Sequence, residues 1–283
     1  MRLLVFIPSH RHPDTYLACL DSVLTTCSEC DVVALNCGRN QKEFSPEKFS
    51  NKRVLLKHSP VNLGHPCAVN YGIQYAVARQ YEFFLKLDDD VTLITPDWYQ
   101  KCLDLMAFDR QIGVIGPKQL KPDEKTVQAA YIRFVGKKLM MSAGEPREKP
   151  ELNRILRVSI APNAFFFARV EYLKKVGYYD ILFTPSQFDD VDYCFRMWLK
   201  GYSCVYDGRI EIVHRLQGQQ DDPRRKLVSL ANQYAIGLKY KGLERFGLKL
   251  EGEIDALGRE ISLMKGTTPA MPSTAPPTAL GKE

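Results

Sequence analysis

No stretch of this sequence stays apolar for the ~18–20 residues that a membrane-spanning helix requires. The opening run Leu3–Ile7 is cut short by Pro8-Ser9-His10-Arg11, too early for a secretion signal. The expected setting is cytoplasmic, with any membrane contact peripheral. The chain has no internal repeat and no strong surplus of one charge sign: 39 Lys and Arg against 33 Asp and Glu leave +6, spread along its length. Without a basic, aromatic-studded patch, that small surplus gives no reason to expect nucleic acid as a partner. The Cys27-Ser28-Glu29-Cys30 pair has no second pair at comparable spacing, which argues against a structural zinc. The eight cysteines are expected as reduced thiols.

What is present is a soluble globular composition, 45% hydrophobic and 25% charged. A chain of this length buries roughly three quarters of its unfolded surface. Leu3–Ile7 is a continuous apolar run, as a strand covered on both faces requires. Pro13 to Thr26 carries Tyr16, Leu17, Leu20, Val23 and Leu24 at helical spacing. Val32–Leu35 and Arg53–Lys57 read as strands, His65 to Arg79 as a helix, Phe83–Leu87 as a strand and Trp98 to Phe108 as a helix. This alternation predicts a parallel sheet, and such sheets bind ligands at the carboxyl ends of their strands.

From Gly113 to about Phe167 short strands are expected, with 144–154 as a mobile surface loop. Asp190 to Lys200 returns to helix. Tyr202–Tyr206 and Arg209–Val213 are expected to form a hairpin about Asp207-Gly208. Two helices follow near 224–241 and 246–265. In the second, Leu250, Ile254, Leu257, Ile261 and Met264 alternate spacings of four and three, a pattern for packing or for a homodimer contact. The Pro-, Thr- and Ala-rich stretch 266–283 is expected to be disordered. The division is thus a domain over 1–218, a helical extension over 219–265 and a tail over 266–283.

Three features carry chemistry. Asp88-Asp89-Asp90 directly follows a buried strand, and three adjacent carboxylates repel unless something cationic offsets them. In extended backbone Asp88 and Asp90 share a side, where they could hold a divalent ion; a solvated turn is the alternative. Asp189-Asp190-Val191-Asp192 stands at the expected start of a helix, where acids complement the macrodipole. Asp192 can pair with Arg196 one turn on, and a carboxylate beside a cleft can serve as a general base. His214 follows Ile210 and Ile212 at strand period; it is either a core histidine or, opposite the aspartates, a ligand for a manganese-like ion. His10, His12, His58 and His65 have no such partner in the sequence. His10 and Arg11, after the first strand, are candidate nucleotide or phosphate contacts.

In their order along the chain these pieces resemble the family 2 glycosyltransferases of the GT-A fold. The resemblance runs from Leu3 to Gly218. It is carried by Phe6-Ile7-Pro8-Ser9, Asn62-Leu63-Gly64, Asn70-Tyr71-Gly72, the DxD-type Asp88-Asp89-Asp90, Gly177-Tyr178-Tyr179-Asp180, Asp189-Asp190-Val191-Asp192 with Arg196, and Gly201-Tyr202 followed by His214 and Gly218. It implies an α/β fold, a Rossmann-like and mostly parallel sheet flanked by helices. It implies an inverting transfer of a sugar from a nucleoside diphosphate sugar to a saccharide or lipid-linked hydroxyl, with Mn2+ or Mg2+ as cofactor. UDP comes first among the carriers, with GDP and dTDP as alternatives.

Residue by residue, the resemblance implies nucleotide-sugar contacts at Pro8, Ser9, His10, Arg11, Asn36, Asn62, Gly64, Asn70, Asp88 and Asp89. It places metal contacts at Asp90 and His214, and the base at Asp190. Three positions depart from the family pattern: Asn36 stands where an Asp is usual, Val69 where an Arg is frequent and, a milder change, Asp189 where a Glu is more usual. A sugar-phosphate nucleotidyltransferase is the nearest enzyme alternative, but it would show a Gly-rich basic loop where Pro8-Ser9-His10-Arg11-His12-Pro13 stands. A binding module without activity is the alternative from another class. Arg224-Arg225-Lys226 with Lys239, Lys241, Arg245 and Lys249 could meet an anionic membrane or form a solvated helix face.

Overall fold

Leu3–Ile7 offers nothing polar to water from its side chains, so the segment is stable only with both faces covered. In the computed structural model it becomes β1 (Leu3–Ser9) in the middle of a sheet. Leu3, Val5 and Ile7 enter one apolar cluster, and Leu4 and Phe6 enter the other, as the period-2 alternation of a strand demands. The structure describes residues 2–10, 12–38, 52–135, 138–215 and 223–240. Arg11, Gly218, the helix expected at 246–265 and the tail expected at 266–283 lie outside the described residues.

The first half follows the expected alternation: α1 (Pro13–Thr26), β2 (Cys30–Asn36), β3 (Val54–His58), α2 (His65–Ala78), β4 (Phe83–Leu87), a short β5 (Val91–Leu93) and α3 (Trp98–Phe108). Pro13 opens α1 and Pro66 lies in the first turn of α2, where a missing N–H costs nothing. Then come β6 (Ile112–Leu120), β7 (Val127–Ala129), β8 (Ile132–Val135), β9 (Lys138–Met141), β10 (Ile155–Val158), β11 (Phe165–Arg169), α4 (Val170–Val176), α5 (Asp189–Leu199), β12 (Ser203–His214) and α6 (Pro223–Lys239).

The main sheet runs β10-β12-β6-β11-β4-β1-β2-β3, with β5 added to β12 and β7 to β6. The half made of β4, β1, β2 and β3 is parallel throughout. β11 runs antiparallel to both of its neighbours, β4 and β6, and β6 and β12 are parallel again. One face is covered through Tyr16, Leu20 and Val23 of α1 and Trp98 and Leu105 of α3. The other is covered through Val69 and Ile73 of α2, Leu173 of α4 and Tyr193 and Met197 of α5. The architecture is mixed α/β with helices on both sides of the sheet. The carboxyl ends of β1, β2 and β4 share one edge, and the loops that leave them meet there.

One expectation is corrected and another refined. The Asp207-Gly208 turn does not make a hairpin. β12 is one twelve-residue strand, because both of its halves pair with β6 instead of with each other, and the register shifts between Asp207 and Glu211. Gly208 is required at that bulge: a Cβ there would stand 2.0 Å from the Leu152 carbonyl oxygen. The 144–154 stretch does run over the surface as expected, but it is anchored. Leu152 is buried, and Glu211 of β12 binds Arg147 at 2.6 Å and the buried Lys118 at 2.7 Å. Charges that suggested a solvated loop instead pin it to the sheet. No helix among the described residues is long and apolar enough to cross a membrane.

Candidate active site

The site grows from the end of β4. Phe83–Leu87 is buried along its length, and the chain then turns sharply, with Val91 N–H donating to the Asp88 carbonyl at 3.2 Å. β5 leaves that turn antiparallel to the end of β12, which sets His214 opposite Val91. Asp90 therefore meets His214, Nε2 to Oδ1, at 3.1 Å. One ligand-type atom each of Asp88, Asp90 and His214 lies within 4.8 Å of the others. Two carboxylates and an imidazole form a donor set that fits a manganese-like ion. Burial works against the charged imidazole, but the hydrogen bond His214 donates to Asp90 and the negative charge of Asp90 leave the His214 pKa raised overall. The other ring nitrogen, Nδ1, is buried without a hydrogen-bond partner.

Asp89 faces the opposite way, as alternation requires. Its Oδ2 accepts from Ser9 Oγ at 2.6 Å and from His10 N–H at 3.3 Å. Burial, only partly offset by the Ser9 bond and reinforced by its two acidic neighbours, pushes its pKa up to about 7. Its carboxylate thus locks the end of β1 to the end of β4. His10 in turn lies 2.5 Å through Nδ1 from the Cys37 carbonyl and 3.1 Å through Nε2 from the Asn62 amide. Asn62 Oδ1 accepts from Gly64 N–H at 2.9 Å. Asn36, at the end of β2, has a buried amide whose oxygen and nitrogen both lack hydrogen-bond partners. Such a group normally costs stability unless something binds it.

Across from this edge α5 begins with its three aspartates, and the structure gives each a different environment. Asp189 is buried, which opposes its charge. Nδ1 of His65 hydrogen-bonds its Oδ2, and that neighbour holds its pKa below the ordinary value. Asp190 accepts from Val191 N–H at 2.8 Å. Burial first, and the adjacent Asp189 second, push its pKa up to about 6. Asp192 is fully buried and turned away from the cleft, bound by Arg196 at 2.9 Å, Lys239 at 2.6 Å and the Tyr240 hydroxyl at 2.6 Å. The expected pairing of Asp192 with Arg196 is present, but Asp192 does not join Asp189 in raising Asp190.

Asn70 has a structural task. Its amide donates to the Tyr179 carbonyl at 2.8 Å and accepts from Tyr179 N–H at 2.7 Å, so both of its ends are used to tie α2 to the segment before α5. Gly64 is a backbone device. It sits at φ +72°, and a Cβ there would stand 2.7 Å from Thr184 Cγ2, so a side chain is excluded twice over. Pro8 continues β1 opposite Leu35 of β2.

The sequence profile described as glycosyl transferase family 2 matches residues 4–177, more than half of the chain. The chain belongs to glycosyl transferase family 2. Three solved structures share the GT-A fold with this family-2 chain. GalNAc-T7 with UDP, GalNAc and Mn2+ superposes with a TM-score of 0.61 at 18% identity, over 78% of this chain and 44% of that one. The mannosyltransferase PcManGT from Pyrobaculum calidifontis, with GDP-Man and Mn2+, gives 0.60 at 11% identity, over 94% and 76%. S. aureus TarS 1–349 with UDP-GlcNAc gives 0.55 at 16%, over 77% and 60%. The uncharacterized protein y4gI of Sinorhizobium fredii is 21% identical over 241 residues, 78% of this chain but 26% of that protein. This chain therefore spans about a quarter of that relative.

Two residues of this site escaped the sequence reading. His65, judged there to have no partner, bridges the two halves of the cleft: besides Asp189, its Nε2 lies 3.7 Å from Asp88 Oδ1. A separation of 124 residues has no signature in spacing. Lys86 is almost fully buried within β4 and places its Nζ 2.7 Å from Asp88 Oδ1 while donating to the Asn163 carbonyl. Its signal was available, because a lone lysine inside an apolar strand requires a paired carboxylate nearby.

Proposed function

We propose that this glycosyltransferase is an inverting enzyme that moves a sugar from a nucleoside diphosphate sugar to a hydroxyl of a saccharide or lipid-linked acceptor. The observation that carries the reading is that His65 joins Asp88, one of the Asp88, Asp90 and His214 cluster, to Asp189, the neighbour of Asp190, whose pKa is pushed up to about 6. Asp90 and His214, with Asp88 beside them, would hold Mn2+ or Mg2+. When bound, the ion supplies Lewis-acid stabilisation of the departing diphosphate. Asp88 also contacts the ribose side of the donor. Asn36, with its unpartnered amide, reads the base, and UDP is the first carrier to test. The relatives solved with UDP, UDP-GlcNAc and GDP-Man support this donor class.

Asp190 takes the acceptor proton as the new bond forms, and a single base on the face opposite the leaving group implies inversion. Asp189 stays charged through His65 and keeps Asp190 basic. The catalytic unit spans 1–218, with α6 as the described part of a C-terminal helical extension. A panel of UDP-, GDP- and dTDP-sugars, assayed for nucleoside diphosphate release, tests this reading. Release from none of them, with and without common saccharide acceptors, would contradict it.

A pH dependence follows. A base must be deprotonated to act, and Asp190 releases its proton at about 6. Turnover with chemistry rate-limiting should therefore climb about tenfold per pH unit below that value and level off above it. A flat profile between pH 5 and 8 would remove Asp190 from the proton transfer.

A further inference from the structure

We propose that Asn232 of α6 is a positioning residue for Asp190, holding the left-handed turn from which the base helix starts. This rests on the reading of Asp190 as the base. α5 begins at Asp189, and the two residues before it, Gln187 and Phe188, have φ of +81° and +63°. Neither is glycine. Left-handed backbone is unfavourable for non-glycine residues, and two in succession persist only where surrounding groups over-determine them. Phe188, the residue that caps α5, makes no side-chain capping bond.

The restraint comes from α6. The Asn232 side chain is 6% exposed, and its Nδ2 lies 2.9 Å from the Gln187 carbonyl, 3.0 Å from that of Ser186 and 3.5 Å from that of Phe183. An amide nitrogen has two hydrogens, so it suits the two nearer carbonyls, which flank the first left-handed residue. From the other side His65 N–H donates to the Pro185 carbonyl at 2.7 Å. Two turns along α6, Lys239 binds both Asp180 and Asp192 at 2.6 Å, and the Tyr240 hydroxyl following α6 reaches Asp192 at 2.6 Å. α6 therefore grips the turn before α5 and the first turn of α5 itself. It lies beyond residue 177, where the family match ends.

A reacting group misplaced by about an ångström can lose roughly a hundredfold in rate. Asn232→Ala should lower kcat for nucleoside diphosphate release from the best donor of the panel by about 10–100-fold. The affinity for UDP with Mn2+ should stay within about twofold, because Asp88, Asp90 and His214 are untouched. Adding Gln187→Gly should restore much of the lost kcat, since glycine holds a left-handed conformation without a restraint. A merely structural role would not be rescued by that change. If Asn232→Ala folds poorly, Asn232→Ser, with one donor, is judged by the same two readings. Unchanged kcat in the Asn232 variant, or loss that Gln187→Gly does not recover, overturns the proposal. Asp190→Asn run in parallel separates the two readings: if it retains turnover the base assignment fails. If it is inactive while Asn232→Ala is not, only the positioning role fails.

Discussion

Asp190→Asn is expected to lose about 10²–10⁴-fold in turnover, roughly 3–5.5 kcal/mol of barrier, the typical worth of general-base assistance. Asparagine keeps the size and can still accept from Val191 N–H, the 2.8 Å bond that the carboxylate makes now. It cannot take up a proton. Stability should not suffer, and the sign can be worked out. Burial and Asp189 raise the folded-state pKa of Asp190 from 3.8 to about 6, so protonation favours the folded form. That contribution is complete below the unfolded value and is lost as pH rises through about 6. At pH 8 the neutral variant should therefore unfold at a denaturant concentration no lower than wild type. Affinity for UDP with Mn2+ should be unchanged. Asp192→Asn should act differently, because Asp192 faces Arg196, Lys239 and Tyr240 and its loss takes from Arg196 its carboxylate partner. Retention of more than about a tenth of wild-type turnover by Asp190→Asn would move the proton to another group.

The second large effect is expected at Asp90. It is buried and is the residue that meets His214, at 3.1 Å. Changes to outer-shell partners of a metal site cost about 10–100-fold in affinity, so loss of a direct carboxylate ligand should exceed that range. Asp90→Ala should abolish the thermal shift that Mn2+ and UDP together give the wild type. Lys86→Met should have a smaller effect on metal, since Lys86 offsets charge on Asp88 from the side, at 2.7 Å. An Asp90→Ala variant with wild-type metal dependence would show that the ion, if any, sits elsewhere.

Much of the parallel half of the fold was legible because its strands are covered on both faces and must be apolar throughout. Leu3–Ile7 and Phe83–Leu87 carry that signal without help from the rest of the chain, Lys86 apart. β12 was not legible as one strand. Asp207-Gly208 looks the same in a hairpin turn and in a bulge, and only the partner strand β6 distinguishes them. The loop at 144–154 misled for a related reason: its Arg147 pairs with Glu211, and Lys118 donates to its Arg147 carbonyl, both partners lying in strands far away in sequence. At the site, the aspartates were visible because adjacent like charges are costly. Their division of labour was not, since it depends on His65 and Lys239, 124 and 47 residues from the aspartates they bind. Asn70 and Asp89 illustrate the limit of a motif. The resemblance implies nucleotide-sugar contacts for both, while in the structure their side chains bond Tyr179 and Ser9 with His10.

The central claim is that Asp88, Asp90 and His214 form a metal-dependent site for a nucleoside diphosphate. Isothermal titration of the wild-type protein with UDP, GDP and dTDP, each in Mn2+ and again in excess chelator, tests it most directly. At least one nucleotide should bind at least about tenfold more tightly with Mn2+, a difference of about 1.4 kcal/mol. Equal affinity in both conditions for every nucleotide, or no binding at all, would contradict the account.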